Sequence, residues 1–142
     1  TLPFKVIGAP WINGKALCEK MNQLNIPGAY FLPFHFTPLY GLYKGENCEG
    51  FLIVVQDRDL YKPVRVQHYI LGVVKAMYPD KVEERLQSLS NAKKKMFCDA
   101  AGGSQILSIF LTEKYPASKL VQFQADKRRE YLNKRKKYLL YN

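Results

Sequence analysis

Residues 51–55, Phe-Leu-Ile-Val-Val, form a continuous apolar run that ends at Gln56. A short run rich in β-branched and aromatic residues is typical of a central strand that is buried on both faces. Two further strands are predicted on its N-terminal side. Residues 4–8 have a strand-like composition, and residues 29–36 form an aromatic-rich run in which Pro33 indicates an edge strand or a bulge.

Apolar residues at helical spacing predict helices on both sides of the central strand. Asn13 can cap a first helix that runs to about Leu24. Pro63 suits the first turn of a second helix, in which apolar residues follow Val66 at spacings of four, seven, eight and eleven. Pro79 then stops this helix. Residues 37–50, between the second and third strands, are predicted to form a long loop.

The C-terminal half reads as helical. Residues 80–95 are polar and indicate a helical turn or two around Val82–Leu89, whereas residues 106–111 suggest a well-buried helix. Pro116 opens a long last helix that ends near residues 138–141. The order of strand, helix, two strands and then helices predicts an α+β (mixed α/β) fold. It would be one domain over residues 1–142, with about three to five strands packed against helices.

Composition and charge exclude several classes of protein. With 142 residues and 47% hydrophobic side chains, the chain can bury a core, which excludes wholesale disorder. Its 22 basic and 12 acidic residues give a net charge of +10, most of it in the C-terminal half. Three cysteines and two histidines fit neither a disulfide scaffold nor a metal-site template, so no metal and no cofactor are predicted. No nucleotide-binding glycine motif, signal peptide or membrane-spanning run occurs in the sequence.

The acidic side chains form a weak catalytic candidate. Glu46 and Glu49 lie in the predicted loop, and Asp57 and Asp59 follow the central strand. Glycoside hydrolysis uses two carboxyl groups that flank one bond, and strand ends are suitable platforms for them. Acidic residues in loops are nevertheless usually solvated, or cap turns.

Aromatic residues near the predicted strand ends form a second candidate site. Trp11 follows the first strand, and Tyr40 and Tyr43 lie in the long loop. Aromatic rings in such places bind the apolar faces of sugars or bases, although most rings of this kind belong to a core. The histidines His35 and His68 are expected to be packed or at the surface rather than catalytic.

A basic run near the C terminus is a third candidate. Residues 127–137 contain seven basic side chains and one acidic side chain. Such a run could bind an anionic polymer, either nucleic acid or glycan, through charge alone. The interleaved leucines and tyrosines favour instead a docked helix with a solvated basic face. No nucleic acid is expected as a partner, because no recognition motif accompanies the run.

Spaced motifs that run nearly from end to end carry a resemblance to a known family. They are Thr1-Leu-Pro-Phe4, Val6-Ile-Gly-Ala-Pro-Trp11, Leu24-Asn-Ile-Pro-Gly28, Phe36-Thr-Pro38, Asp57-Arg58 and Arg135-Lys-Lys-Tyr-Leu-Leu-Tyr141. In this order they resemble the C-terminal domain of the DUF1343 family, the NamZ-like exo-β-N-acetylmuramidases of peptidoglycan recycling. The chain departs from the family at Leu52 and Val54, where the family's strand carries polar residues.

The resemblance implies the auxiliary half of a two-domain glycosidase, which removes terminal β-N-acetylmuramic acid (MurNAc) from the non-reducing end of peptidoglycan fragments. The catalytic glutamates would lie in an N-terminal Rossmann-like domain, so this chain would be inactive alone. We expect the chain, which begins at Thr1 without an initiator Met, to be a piece of a longer protein. Family members are often exported, which implies an extracytoplasmic (periplasmic or secreted) location.

The same resemblance implies roles for six residues in the cleft between the two domains. Trp11 or Tyr40 would stack on a sugar face. Tyr43 and Lys44 would bind a hydroxyl group or the lactyl carboxylate of MurNAc. The remaining matches are Thr37 in the loop and Asp57, which is expected to fix a loop.

Overall fold

The computed structural model describes residues 4–140, and in this range six α-helices accompany three strands. In chain order the elements are β1 (Val6–Ala9), α1 (Gly14–Gln23), β2 (Ala29–Phe36), β3 (Cys48–Val55), α2 (Pro63–Met77), α3 (Pro79–Gln87), α4 (Asn91–Ala101), α5 (Ser104–Thr112), α6 (Ala117–Arg135) and a 3-10 turn (Lys136–Tyr138). The predicted α+β class is confirmed, with its small sheet and C-terminal helix. Residues 1–3 and Tyr141, which belong to the matching motifs, lie outside the described residues.

The three strands form an antiparallel sheet in the order β1-β3-β2. The predicted central strand is confirmed as β3, and Pro33 lies in the edge strand β2, where its missing N–H costs no ladder bond. The predicted loop over residues 37–50 is shorter than expected, because β3 already begins at Cys48. The loop that remains, residues 37–47, leaves the sheet at the end where β2 finishes.

Helix α1 covers one face of the sheet. The Asn13 side chain accepts a hydrogen bond from the Ala16 N–H at 2.9 Å, which caps the helix as the sequence predicts. Leu17 and Met21 are fully buried against this sheet face. There the rings of Phe31 and Phe51 meet edge to face at 5.1 Å. Residues from α2 complete this first core.

The opposite face of the sheet is not covered within the described residues. Phe51 and Ile53 of β3 point into the core, whereas Leu52 and Val54 between them are only half-buried. The prediction that this strand is buried on both faces is therefore wrong for residues 4–140. The reason is that α1 and α2 both pack on the same side of the sheet.

A second, smaller core joins the C-terminal helices to α2. Ile106, Phe110 and Leu120 form its buried centre. Helix α4, which packs here, was not predicted, because its first turns carry the polar run of residues 93–95. Its ends do carry ordinary signals: the Ser90 side chain accepts from the Lys93 N–H at 3.3 Å, and the residue after the helix is a glycine with φ of 92°.

Helix α6 is docked over its first half only. Leu120 is fully buried, and the start of the helix lies directly against Gly72 of α2. From Lys127 onward every described side chain is exposed except Leu132, which is half-buried. The docked helix expected for residues 127–137 is therefore wrong: the interleaved Tyr131, Tyr138 and Leu139 are exposed, and the basic run projects into solvent beyond the docked residues 117–126. Within residues 4–140 no helix is both long and apolar enough to cross a bilayer.

Candidate functional site

An aromatic pair lies at the end of the sheet where β1 and β2 finish and β3 begins. The Trp11 Nε1–H donates a hydrogen bond to the Tyr43 hydroxyl at 2.9 Å, which joins the residue just after β1 to the 37–47 loop. Both side chains are half-buried and pack against the first core. The sequence placed these two residues in one site, and the structure brings them into direct contact.

Tyr78 packs against the Trp11 ring of this pair. Its ring meets the Trp11 indole edge to face, with centroids 5.4 Å apart and planes at 65°. The Tyr78 hydroxyl accepts a hydrogen bond from the Asn13 N–H at 2.9 Å. Tyr78 also joins α2 to α3, so the indole is fixed to the start of α1 and to the α2–α3 junction. A ring held in this way loses little further freedom when a ligand stacks on it.

Helix α3 adds charged side chains to the aromatic pair and closes a cavity of about 250 Å³. The cavity is lined by Trp11, Leu42, Tyr43, Lys81, Glu84, Arg85 and Ser88. We call it the aromatic–basic pocket. The α3 residues reach it from positions 81, 84, 85 and 88, the spacing of one helix face.

The two cationic side chains of this pocket, Lys81 and Arg85, differ in their partners. The Lys81 ammonium pairs with the Glu84 carboxylate at 3.1 Å. The Arg85 guanidinium donates to the Ser88 hydroxyl at 3.3 Å and has no carboxylate partner among the described residues. Arg85 therefore keeps donors for an anion, and a planar guanidinium suits a carboxylate because it can bind both oxygens at once.

Chemically, the pocket offers an aromatic surface beside a cation. Sugars present apolar C–H faces that stack on indole and phenol rings. The cation adds selectivity for a ligand that carries a carboxylate. At about 250 Å³ the cavity is smaller than the ~300–1,000 Å³ typical of small-molecule sites.

Three other predicted binding residues lie in the same loop as Tyr43 but outside the pocket. The Thr37 hydroxyl donates to the Asn47 side-chain oxygen at 3.0 Å and so joins the two ends of the loop. Tyr40 is 78% exposed, and Lys44 is also exposed. Neither contacts the pocket. Their side chains face solvent on a loop that Gly41 and Gly45, both at positive φ, allow to turn sharply.

Asp57 lies at the opposite end of β3. One of its carboxylate oxygens accepts from the Asp59 N–H at 2.8 Å and from the Leu60 N–H at 3.1 Å, which fixes the turn before α2. The eight residues of β3 at ~3.4 Å each separate this turn from the aromatic–basic pocket by roughly 25 Å. A binding role for Asp57 stays a prediction, and its observed contacts are those of a residue that fixes a loop.

The remaining acidic candidates do not converge on the pocket either. Glu49 accepts a hydrogen bond from the Gly14 N–H at 3.1 Å, so its carboxylate satisfies the start of α1. Glu46 is exposed in the loop. Asp59 is exposed in the turn beside Asp57, at the far end of the sheet.

Lys81 and Arg85 were not among the predicted site residues. They lie in the stretch of residues 80–95, where the sequence predicts only a helical turn or two around Val82–Leu89 and the structure has the longer helix α3. Once α3 is known to begin at Pro79, their spacing of four places them on one face. The signal was present as a proline at the first helical position, but nothing in the sequence showed which face meets Trp11.

The histidines and cysteines form no second centre in residues 4–140, where no group of three or more metal-ligating side chains occurs. His35 is exposed and His68 is buried, as expected. The three cysteines are free. Burial, with a smaller contribution from the Glu19 charge, raises the pKa of Cys18 to about 11, which makes its thiol unreactive at neutral pH.

Three comparisons with known proteins relate the chain to the same group of proteins. The family model described as "Exo-beta-N-acetylmuramidase NamZ, C-terminal" matches residues 1–141. The peptidoglycan beta-N-acetylmuramidase NamZ of Bacillus subtilis (strain 168) is 35% identical over 83 residues, which are 58% of this chain and 20% of that protein. The crystal structure of a DUF1343 family protein from Bacteroides fragilis superposes with a TM-score of 0.79 at 26% identity, over 100% of this chain and 36% of that one. The chain thus spans only about a fifth to a third of the length of these relatives.

Proposed function

The chain belongs to the family of NamZ C-terminal domains, and we propose from this membership that it is the cleft-forming domain of an exo-β-N-acetylmuramidase. Such an enzyme removes terminal MurNAc from the non-reducing end of peptidoglycan fragments. The observation that carries the proposal is the aromatic–basic pocket, in which Trp11 and Tyr43 lie beside the Arg85 guanidinium, whose only described partner is the Ser88 hydroxyl. The domain supplies binding and no catalytic carboxylate.

The geometry suits recognition of MurNAc in particular. This sugar differs from N-acetylglucosamine (GlcNAc) by a lactyl ether that ends in a carboxylate. The Trp11 indole would stack on the sugar ring, and the Tyr43 hydroxyl would bind a ring hydroxyl. Arg85 would bind the lactyl carboxylate by charge-assisted hydrogen bonds, whereas the charge of Lys81 is offset by its partner Glu84.

The proposed partner is an N-terminal domain of the same protein, for which a Rossmann-like fold and an extracytoplasmic location are expected from the family resemblance. Glycoside hydrolysis requires two carboxyl groups on opposite sides of the scissile bond. The two acidic side chains with defined partners at the sheet ends, Glu49 and Asp57, are held by backbone N–H groups. The catalytic pair is therefore assigned to the partner domain.

A fluorescence titration tests the binding role. Trp11 is the only tryptophan in the chain, so its emission reports directly on the pocket. We expect MurNAc to change the emission saturably, and GlcNAc to do so only at concentrations about tenfold higher, because it lacks the carboxylate. Equal responses to the two sugars, or none to either, would contradict a MurNAc subsite here.

A second candidate function rests on the projecting half of α6. Four basic side chains at positions 134–137 are exposed and have no acidic partner within the described residues. They could bind an anionic polymer, glycan or nucleic acid, without a catalytic partner. This function predicts binding that weakens steeply with salt, does not distinguish MurNAc from other sugars, and is lost when all four are replaced by glutamine.

A further inference from the structure

The sheet face opposite α1 is lined by apolar residues from all three strands. Pairing in the sheet places Val6 opposite Leu52, Leu52 opposite Leu32, and Tyr30 opposite Val54, so these side chains share one face. Phe34 and Phe36 extend it toward the aromatic–basic pocket. The residues of this open sheet face are Val6, Tyr30, Leu32, Phe34, Phe36, Leu52 and Val54, together with Gly8, Gly50 and the buried Cys48.

The open sheet face carries no charged side chain in a protein whose net charge is +10. Tyr30 and Leu32 are each 42% exposed, and the other members are half-buried by one another. The Phe36 ring lies over Gly8, where a Cβ atom would come within 2.7 Å of it. The face is thus apolar, and the Phe36 ring covers its glycine at position 8.

The pattern of β3 indicates that this face is built for burial. An antiparallel strand with one solvated face alternates apolar and polar residues. Residues 51–55 do not alternate, because Leu52 and Val54 are as apolar as their core-facing neighbours. In the described chain the helices account for one face only. An exposed apolar surface that breaks the expected alternation marks an interaction site.

We propose that the open sheet face is the docking surface for the N-terminal domain of the same protein, a proposal that rests on the function given above. In the Bacteroides relative the matched region is 36% of the chain, so most of that polypeptide is available to cover it. The face also ends beside the pocket: Phe36 and Cys48 pair in the row where the 37–47 loop leaves the sheet. A domain docked there has its edge at the pocket and completes the cleft.

The size of the face favours a covalently linked domain over a second copy of this chain. Strands of four, eight and eight residues, ~4.8 Å apart and rising ~3.4 Å per residue, cover about 330 Å². Counted on both partners this gives about 650 Å², which falls within the ~600–1,500 Å² of interfaces between linked domains. It is below the ~1,200–2,000 Å² of stable complexes between separate chains.

Hydroxyl-radical footprinting of the whole protein and of the 142-residue chain tests the proposal. Radicals modify aromatic and leucine side chains according to their exposure. We expect Tyr30, Leu32 and Phe34 to be modified at least fivefold more slowly in the whole protein. Tyr115 and Tyr131, which are 65% and 62% exposed on the helical side, should react equally in both. Equal rates for the sheet residues in the two proteins would overturn the proposal.

A pair of matched variants sharpens the test. Leu32→Lys places a charge on the open sheet face, whereas Leu111→Lys places one on α5 at a similar exposure of 49%. In the whole protein we expect L32K, and not L111K, to restore rapid modification of Tyr30 and Phe34. Both variants of the 142-residue chain should melt within a few degrees of the parent, because neither position is in a core.

The footprint separates this inference from the proposed enzyme activity. If the sheet face is protected in the whole protein but MurNAc is not hydrolysed, the docking surface is supported and the proposed activity is contradicted. If MurNAc is hydrolysed but the face is unprotected, the activity is supported and the docking surface is contradicted. If the 142-residue chain alone sediments as a dimer with the face already protected, the occupant is a second copy, and the proposal is overturned.

Discussion

At the scale of the residue, the proposed function assigns sugar selectivity to Arg85. Its guanidinium has no carboxylate partner in the described chain and lies beside Trp11 in the pocket. Arg85→Gln should weaken MurNAc binding about tenfold, since a charge-assisted hydrogen bond contributes roughly 1.5–3 kcal/mol. GlcNAc binding should change less than twofold, and Arg58→Gln, in the turn at the far end of the sheet, should leave both unchanged. A titration of the Trp11 emission measures this, and an equal loss for both sugars would contradict the assignment.

We expect His68 to make the fold sensitive to acid. The residue is 2% exposed, and its Nδ1 atom has no hydrogen-bond partner among residues 4–140. Burial lowers its pKa from the ordinary value of 6.5. Below pH 6.5 this histidine therefore binds a proton more readily in the unfolded chain than in the folded chain. The contribution of neutral His68 to the free energy of unfolding is fully present above this pH and decreases as the pH falls toward the folded pKa.

Thermal melts between pH 8 and 5 check this expectation. His68→Gln should flatten the loss of stability just below pH 6.5, because it removes the buried titrating group. His35→Gln is the matched control, since the His35 side chain is 70% exposed. If the two variants show the same pH profile as the parent, another group causes the acid sensitivity.

At the scale of elements, the contact between α2 and α6 joins the two cores. A Cβ atom at Gly72 would come within 2.6 Å of the Ala117 backbone nitrogen and Cα atom, so the helices touch through their main chains. Gly72→Ala should destabilise the domain by about 1–3 kcal/mol, the usual cost of forcing an extra group into a packed contact. Ala76→Ser, at an exposed site on the same helix, should cost far less. Denaturant unfolding of both variants measures the difference, and equal midpoints would show that this contact is not tight.

The elements with strong local signals were predictable and the others were not. The capping residue Asn13 predicts the start of α1, and Pro63 predicts the start of α2. Helix α4 was not predicted because its apolar face is narrow: Phe97 is the main side chain that it adds to the second core. Trp11 and Tyr43 were predictable as aromatic residues at strand ends. The position of Arg85 was not, because it depends on how α3 packs, which is a tertiary property.

At the scale of the whole molecule, the described residues have the features of a binding site that a second domain would complete. The aromatic–basic pocket is small and open, the open sheet face is apolar and uncovered, and the chain matches a C-terminal family over residues 1–141. Each of these features is explained if a second domain completes the cleft and supplies the catalytic carboxylates. The apolar run of residues 51–55, which wrongly predicted burial on both faces within this chain, is explained in the same way.

Hydrolysis of a chromogenic β-N-acetylmuramide is the most direct test of this account. It would be measured with the 142-residue chain alone and with the same chain joined to its natural N-terminal part. We predict hydrolysis only by the longer protein, with a lower kcat/KM when Arg85→Gln is introduced. Hydrolysis by the 142-residue chain alone would contradict the account and direct attention to Glu46, Glu49, Asp57 and Asp59. Inactivity of both proteins would contradict the substrate assignment.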